Sequence, residues 1–112
     1  MSDSKLRDLS VDFSVRVVKL CESIKGHYSL VNQLERSATN IGANIREAKY
    51  AHGTADFIAK LQIALKECSE TEYWIELLIE SGYYSNRSIL EKCVEVKKIL
   101  ISSVNTAKAK NE

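Results

Sequence analysis

The side chains of this 112-residue chain best suited to chemistry are two histidines, three cysteines and one glutamate set among apolar residues. That glutamate, Glu72, falls in the run Leu61, Leu65, Cys68, Glu72, Ile75 and Ile79, whose alternating spacings of four and three mark one face of one helix. A carboxylate on such a face needs a partner, a proton or water, because an unpaired buried carboxylate is costly. An earlier helical segment carries the polar row Arg36, Asn40, Asn44 and Glu47, which flanks an apolar row and is placed to receive it. Arg16, flanking the core side of the first helix, is another candidate partner. The expectation is a buried polar network of Arg16, Arg36, Asn44, Glu47 and Glu72 that sets helix register and pairing rather than performing catalysis.

Metal chemistry finds no support. A carboxylate-bridged site in a helical bundle takes Glu-x-x-His pairs from two helices, whereas His27 and His52 fall in or beside expected turns and neither follows a glutamate by three residues. No Gly-rich phosphate loop is present, so no cofactor is expected. Cys21, Cys68 and Cys93 are an odd set without CxxC spacing and read as buried free thiols of a reducing compartment. The Arg46 to His52 spacing resembles the Arg-His motif of the HEPN ribonucleases, which are also small helical bundles. That resemblance implies Arg46 on the scissile phosphate and His52 as acid or base. The rest of the chain departs from that family, and the same two residues read as a solvated helix end and a turn histidine. A non-enzymatic protein is the expectation.

The elements that position these residues are punctuated sparsely, with no proline and four glycines. Helix one is expected from about Ser10, or earlier, to Lys25, with Leu6, Leu9, Phe13, Val17, Leu20 and Ile24 on one side. Helix two runs from about Leu30 to Tyr50 behind an N-cap at Ser29, and helix three runs from a Thr54 cap to Ser81. Helix four follows Gly82 to Ser85, with Ser88 and Glu91 in capping-box register and a core row of Ile89, Cys93, Val96, Leu100 and Val104. Four long segments joined by short loops imply antiparallel neighbours. The fold class is therefore all-α, an antiparallel up-down-up-down four-helix bundle, as a single domain over residues 1–112.

Two helices carry apolar residues that a lone bundle does not need. Val11, Val15 and Val18 point away from the Phe13 face, and Ile63, Trp74 and Leu77 point away from the Leu61 face. Since a bundle buries one face of each helix, these stripes are expected to form an interface between copies of the chain, with Trp74 as its anchor. Self-association is the expectation for partners.

Sixteen basic and fifteen acidic residues give a net charge of +1, so nucleic-acid binding has no bulk electrostatic argument and requires a local patch. Arg46, Lys49 and His52 gather at the end of helix two, and Lys97, Lys98, Lys108 and Lys110 crowd the second half of helix four. Such groups bind phosphates if they share one surface. Otherwise they are solvated faces, with lysines near a helix C-terminus answering its dipole. Glu67, Glu70, Glu76 and Glu80 could equally make an acidic protein-binding face. The N-terminal stretch lacks a basic segment followed by a long apolar run, and no apolar run approaches the roughly 20 residues that span a bilayer. Cytoplasmic placement without membrane contact is expected.

The residues Arg36-Ser37, Ile41 and Asn44-Ile45-Arg46-Glu47, followed by Phe57, Leu61, Ala64, Ser69 and Glu72, resemble the four-helix-bundle proteins encoded in 23S rRNA intervening sequences. Asp8-Leu9-Ser10-Val11, Ile63 through Glu67 and Tyr73-Trp74 extend the resemblance over nearly the whole chain. Ala48 departs from it, standing where the family commonly has glycine. The resemblance implies small bundles that associate into pentameric rings. A related branch, the accessory variability determinants of diversity-generating retroelements, engages a reverse transcriptase and nucleic acid. By that analogy the chain is expected to be an oligomeric adaptor for RNA or a nucleic-acid-handling enzyme. The alternatives are an assembly module that binds only protein and the ribonuclease.

Overall fold

The computed structural model describes residues 2–111, and within them four α-helices account for the regular structure: α1 (Ser2–Ser23), α2 (Tyr28–Lys49), α3 (Thr54–Glu80) and α4 (Ser88–Asn111). Contacts join α1 to α2, α2 to α3, α3 to α4 and α1 to α4, with no diagonal pair in contact among the described residues. The bundle is therefore a square that the chain walks around, up and down in turn. Its extents are 47 × 21 × 19 Å. The Tyr83 hydroxyl is hydrogen bonded to His27 Nε2, tying the α1–α2 loop to the α3–α4 loop at one end. Chain direction then puts the start of α1, the end of α2, the start of α3 and the end of α4 together at the other end.

Apolar residues that recur on one face of each helix fill the centre. Phe13 and Val17 of α1, Leu34 and Ile41 of α2, Leu61 and Ile75 of α3 and Val96 and Leu100 of α4 are all fully buried. Burial of a side chain of this size contributes about 1.5–3 kcal/mol, so the repeated row rather than any single helix holds the fold. α1 begins well before Ser10 because its buried face continues through Leu6 and Ser10. Ala48 is buried, so its methyl group is accommodated within the core.

The helix ends differ from expectation. His27, in the left-handed region at φ 47°, precedes α2 in place of Ser29, and its carbonyl accepts from the Leu30 and Val31 amides at 3.0 and 3.1 Å. Gly53 rather than Thr54 caps α3, and the Asp56 carboxylate accepts from the His52 amide at 3.1 Å, placing negative charge at the helix N-terminus. Ser88 is already inside α4, so no Ser88–Glu91 box forms. Instead the Asn86 side chain accepts from the Ser88 amide at 2.9 Å. At the end of α3, Gly82 at φ 85° lets its own amide reach the Ile79 carbonyl and the Tyr83 amide reach that of Leu78. This paired closure leaves few carbonyls without partners and needs a left-handed residue, hence glycine.

Candidate functional site

The centre of the α3 face is Thr71, not Glu72. Ala64, Thr71 and Leu78 recur every seven residues and are buried, whereas Glu72, Leu65 and Ile79 lie along the edge of the core. Thr71 Oγ1 is 2.8 Å from both Ser37 Oγ and the Glu67 carbonyl, and Ser37 Oγ is 3.2 Å from the Leu34 carbonyl. With one proton on each hydroxyl, this buried pair is satisfied by donation between the two hydroxyls and to the carbonyls of their own helices. The seven-residue repeat was the sequence signal for Thr71.

Glu72 takes its partner from α4. Lys97 Nζ donates to its carboxylate at 2.6 Å, with the lysine side chain 31% and the glutamate side chain 22% exposed. The charge-assisted bond to Glu72 holds the Lys97 ammonium above the usual lysine range against a smaller opposing effect of burial. The five-residue polar network is not assembled. Arg16 pairs with Asp12 at 2.9 Å on the surface, Arg36 donates to Gln33 at 2.9 Å and Glu47 is 3.7 Å from Lys60. Asn44 donates to the Asn40 carbonyl one turn back, at 2.8 Å. Geometry explains the correction: α2 packs along one flank of α3 and Glu72 occupies the other, facing α4.

All three cysteines are buried and free. Cys68 and Cys93 face one another across α3 and α4, their sulfurs 3.7 Å apart, and each thiol also lies within bonding reach of the other residue's carbonyl. The contact with Cys68 and burial both push the Cys93 thiol far up, and burial with the nearby Glu35 pushes Cys21 up to about 11. Thiols held protonated in this way pack as small hydrophobes rather than nucleophiles. Among the described residues no group of three or more His, Cys, Asp or Glu side chains is arranged around a metal position.

The outward stripes flank α2 on both sides. Val11 and Val15 are 48% and 47% exposed, with Val18 half-buried, and they line an open groove of about 730 Å³ between α1 and α2. Ser10, Ser14 and Gly42 form its floor, and Lys19, Glu22 and Arg46 stand at its margins. Ile63 on α3 is 43% exposed, whereas Trp74 and Leu77 are half-buried. Trp74 packs against the core edge and meets the exposed Tyr73 edge-on at 5.1 Å between centroids. It is thus held by contacts within its own chain.

The basic residues divide. Arg46 and Lys49 are exposed at the end of α2 and His52 in the turn beyond it, with Lys108 and Lys110 of α4 at the same end of the bundle. Lys97 and Lys98 lie nearer the middle of α4, the helix diagonal to α2, and Lys97 is committed to Glu72. They do not share a surface with Arg46 within one copy. Tyr50, 72% exposed and beside Lys49 Nζ at 5.6 Å from its ring centroid, joins the α2 group and was missed because a lone exposed tyrosine has no periodic signal. The α1–α2 groove is lined by Arg46 and not by His52.

No described helix is long and apolar enough to cross a membrane. A comparison with curated proteins gave no match. Among solved structures, the chain is similar to a protein of unknown function from the S23 ribosomal protein family of Bacteroides thetaiotaomicron, with 45% identity and a TM-score of 0.90. The match covers 94% of this chain and 99% of that one. The sequence profile of the family described as 23S rRNA-intervening sequence protein matches residues 2–102. Four helices in this order, matched along almost their whole length, place the chain in the 23S rRNA-intervening sequence protein family.

Proposed function

We propose that this protein is a non-enzymatic scaffold that assembles from identical copies and presents its basic end to RNA. The observation that carries the reading is the apolar surface left over once the core is full: Val11, Val15 and Ile63 are nearly half exposed on two stripes that no helix of the same chain covers. Apolar residues left exposed in a row along a helix favour a protein–protein contact. RNA is favoured as ligand by the end of the bundle where Lys5, Arg46, Lys49, Lys108 and Lys110 make no ion pair among the described residues and Tyr50 stands exposed beside them. Cations next to an exposed ring suit phosphate contact and base stacking. A closed assembly repeats this surface with every copy, which compensates for the modest charge of one subunit.

Size-exclusion chromatography with light scattering, recorded at protein and nucleic-acid wavelengths, tests both halves of the reading. An oligomer that carries RNA at moderate salt and sheds it at high salt is expected. An oligomer free of RNA at every salt concentration would leave a protein-only assembly, and a monomer would remove the scaffold reading.

A further inference from the structure

The five tyrosines divide by what holds their rings. Tyr83 is bonded to His27, Tyr73 meets Trp74 edge-on and Tyr84 packs against the core. Tyr28 and Tyr50 are each 72% exposed and have no side-chain hydrogen bond or aromatic partner among the described residues. Their surroundings differ. Tyr28 stands at the end closed by His27 and Tyr83, where Arg87 is taken by Glu80 at 2.9 Å and Lys25 is the one lysine of the two loops. Tyr50 stands at the other end, where Arg46, Lys49, Lys108 and Lys110 make no ion pair among the described residues. The Lys49 ammonium lies 5.6 Å from the Tyr50 ring centroid, within the range of cation–π attraction.

The turn that carries Tyr50 is tied down at successive residues. The Tyr50 amide donates to the Glu47 carbonyl at 3.1 Å, the Ala51 amide to that of Ala48 at 3.2 Å, and the His52 amide to the Asp56 carboxylate at 3.1 Å. An exposed ring on a fixed backbone loses little conformational freedom when a flat group lies against it. Acids among the described side chains of this end are already engaged. Glu47 is 3.7 Å from Lys60, Asp8 is 3.3 Å from Arg7, and Asp56 holds the His52 amide.

Resting on the RNA reading, we propose that the basic end takes unpaired, single-stranded RNA by stacking a base on Tyr50, with Arg46 and Lys49 on the flanking phosphates. Lysine and arginine alone do not choose between strand and duplex, because both forms present phosphates. The ring makes the choice. A paired A-form helix keeps its bases stacked on one another and offers a protein mainly phosphate and ribose, so Tyr50 finds no face to cover. Stacking on one ring tolerates every base, so the strand is selected for being unpaired rather than for its sequence.

The test measures binding of the full chain to a labelled oligouridylate and to a perfect RNA duplex of the same length, over a range of salt concentrations. Tyr50→Ala is expected to weaken single-strand binding about tenfold, with the salt dependence unchanged, and to leave duplex binding at the wild-type value. Tyr50→Phe, which restores a ring, recovers most of that loss. Tyr28→Ala removes an equally exposed ring at the opposite end and changes neither affinity. Single-strand binding that survives Tyr50→Ala intact overturns the proposal, as does an equal loss on the duplex. Both results leave the RNA reading standing, because the wild type still binds. A wild type that binds neither probe overturns the RNA reading and this proposal together.

Discussion

At the scale of single residues, the pairing of Glu72 with Lys97 changes what the glutamate is worth. A fully buried carboxylate stripped of its partner is strongly destabilising, but here both groups remain partly wet and the survivor can turn to water. A double-mutant cycle of Glu72→Ala and Lys97→Ala is therefore expected to show a coupling of about 1 kcal/mol, read from chemical denaturation. Because folding raises the Lys97 pKa, the pair contributes in full below the unfolded lysine value of about 10.4 and loses its contribution as pH rises through the higher folded value. Stability lost to Lys97→Met should accordingly shrink in strongly alkaline buffer. A coupling that persists unchanged there would show that the ion pair is not its source.

At the scale of helices, two glycines should respond in opposite ways to the same substitution. Gly42 lies within α2, and a methyl group added there meets only ordinary contacts. Gly42→Ala should stabilise the fold by about 0.5–1 kcal/mol through helix propensity. Gly82 closes α3 at φ 85° with nothing within 4 Å of an added methyl, so Gly82→Ala has no clash to relieve and costs about 1 kcal/mol through backbone strain alone. Thermal unfolding of the two variants beside wild type reads both signs.

For the whole molecule, the square arrangement decides which charges can act together. The end of α2 and the end of α4 share one end of the bundle, so Lys49→Glu combined with Lys108→Glu should remove RNA from the oligomer at moderate salt and leave its mass unchanged. Lys98→Glu, nearer the middle of the diagonal helix, should change RNA retention less. Equal loss from both changes would point to overall charge rather than to the basic end. His27 and Tyr83 close the opposite end of the bundle, where two loops meet.

Period and punctuation in the sequence determined the four helices, their antiparallel order and most of the core, since rows such as Phe13, Val17, Leu20 and Ile24 are local patterns read along one helix. The same patterns located the outward valines of α1 and Ile63 of α3. Tertiary structure alone decided partnership. A helical row shows which residues share a face, but the rotation of each helix about its axis is set by packing against two neighbours, and a small rotation put Thr71 in the core and turned Glu72 toward Lys97. Capping likewise depended on the backbone path through each turn: His27 and Gly53 hold cap positions that side-chain preference assigns to Ser29 and Thr54. The grouping of Lys49 with Lys108, nearly sixty residues apart in the chain, follows from the direction of each helix and from no local pattern in the sequence.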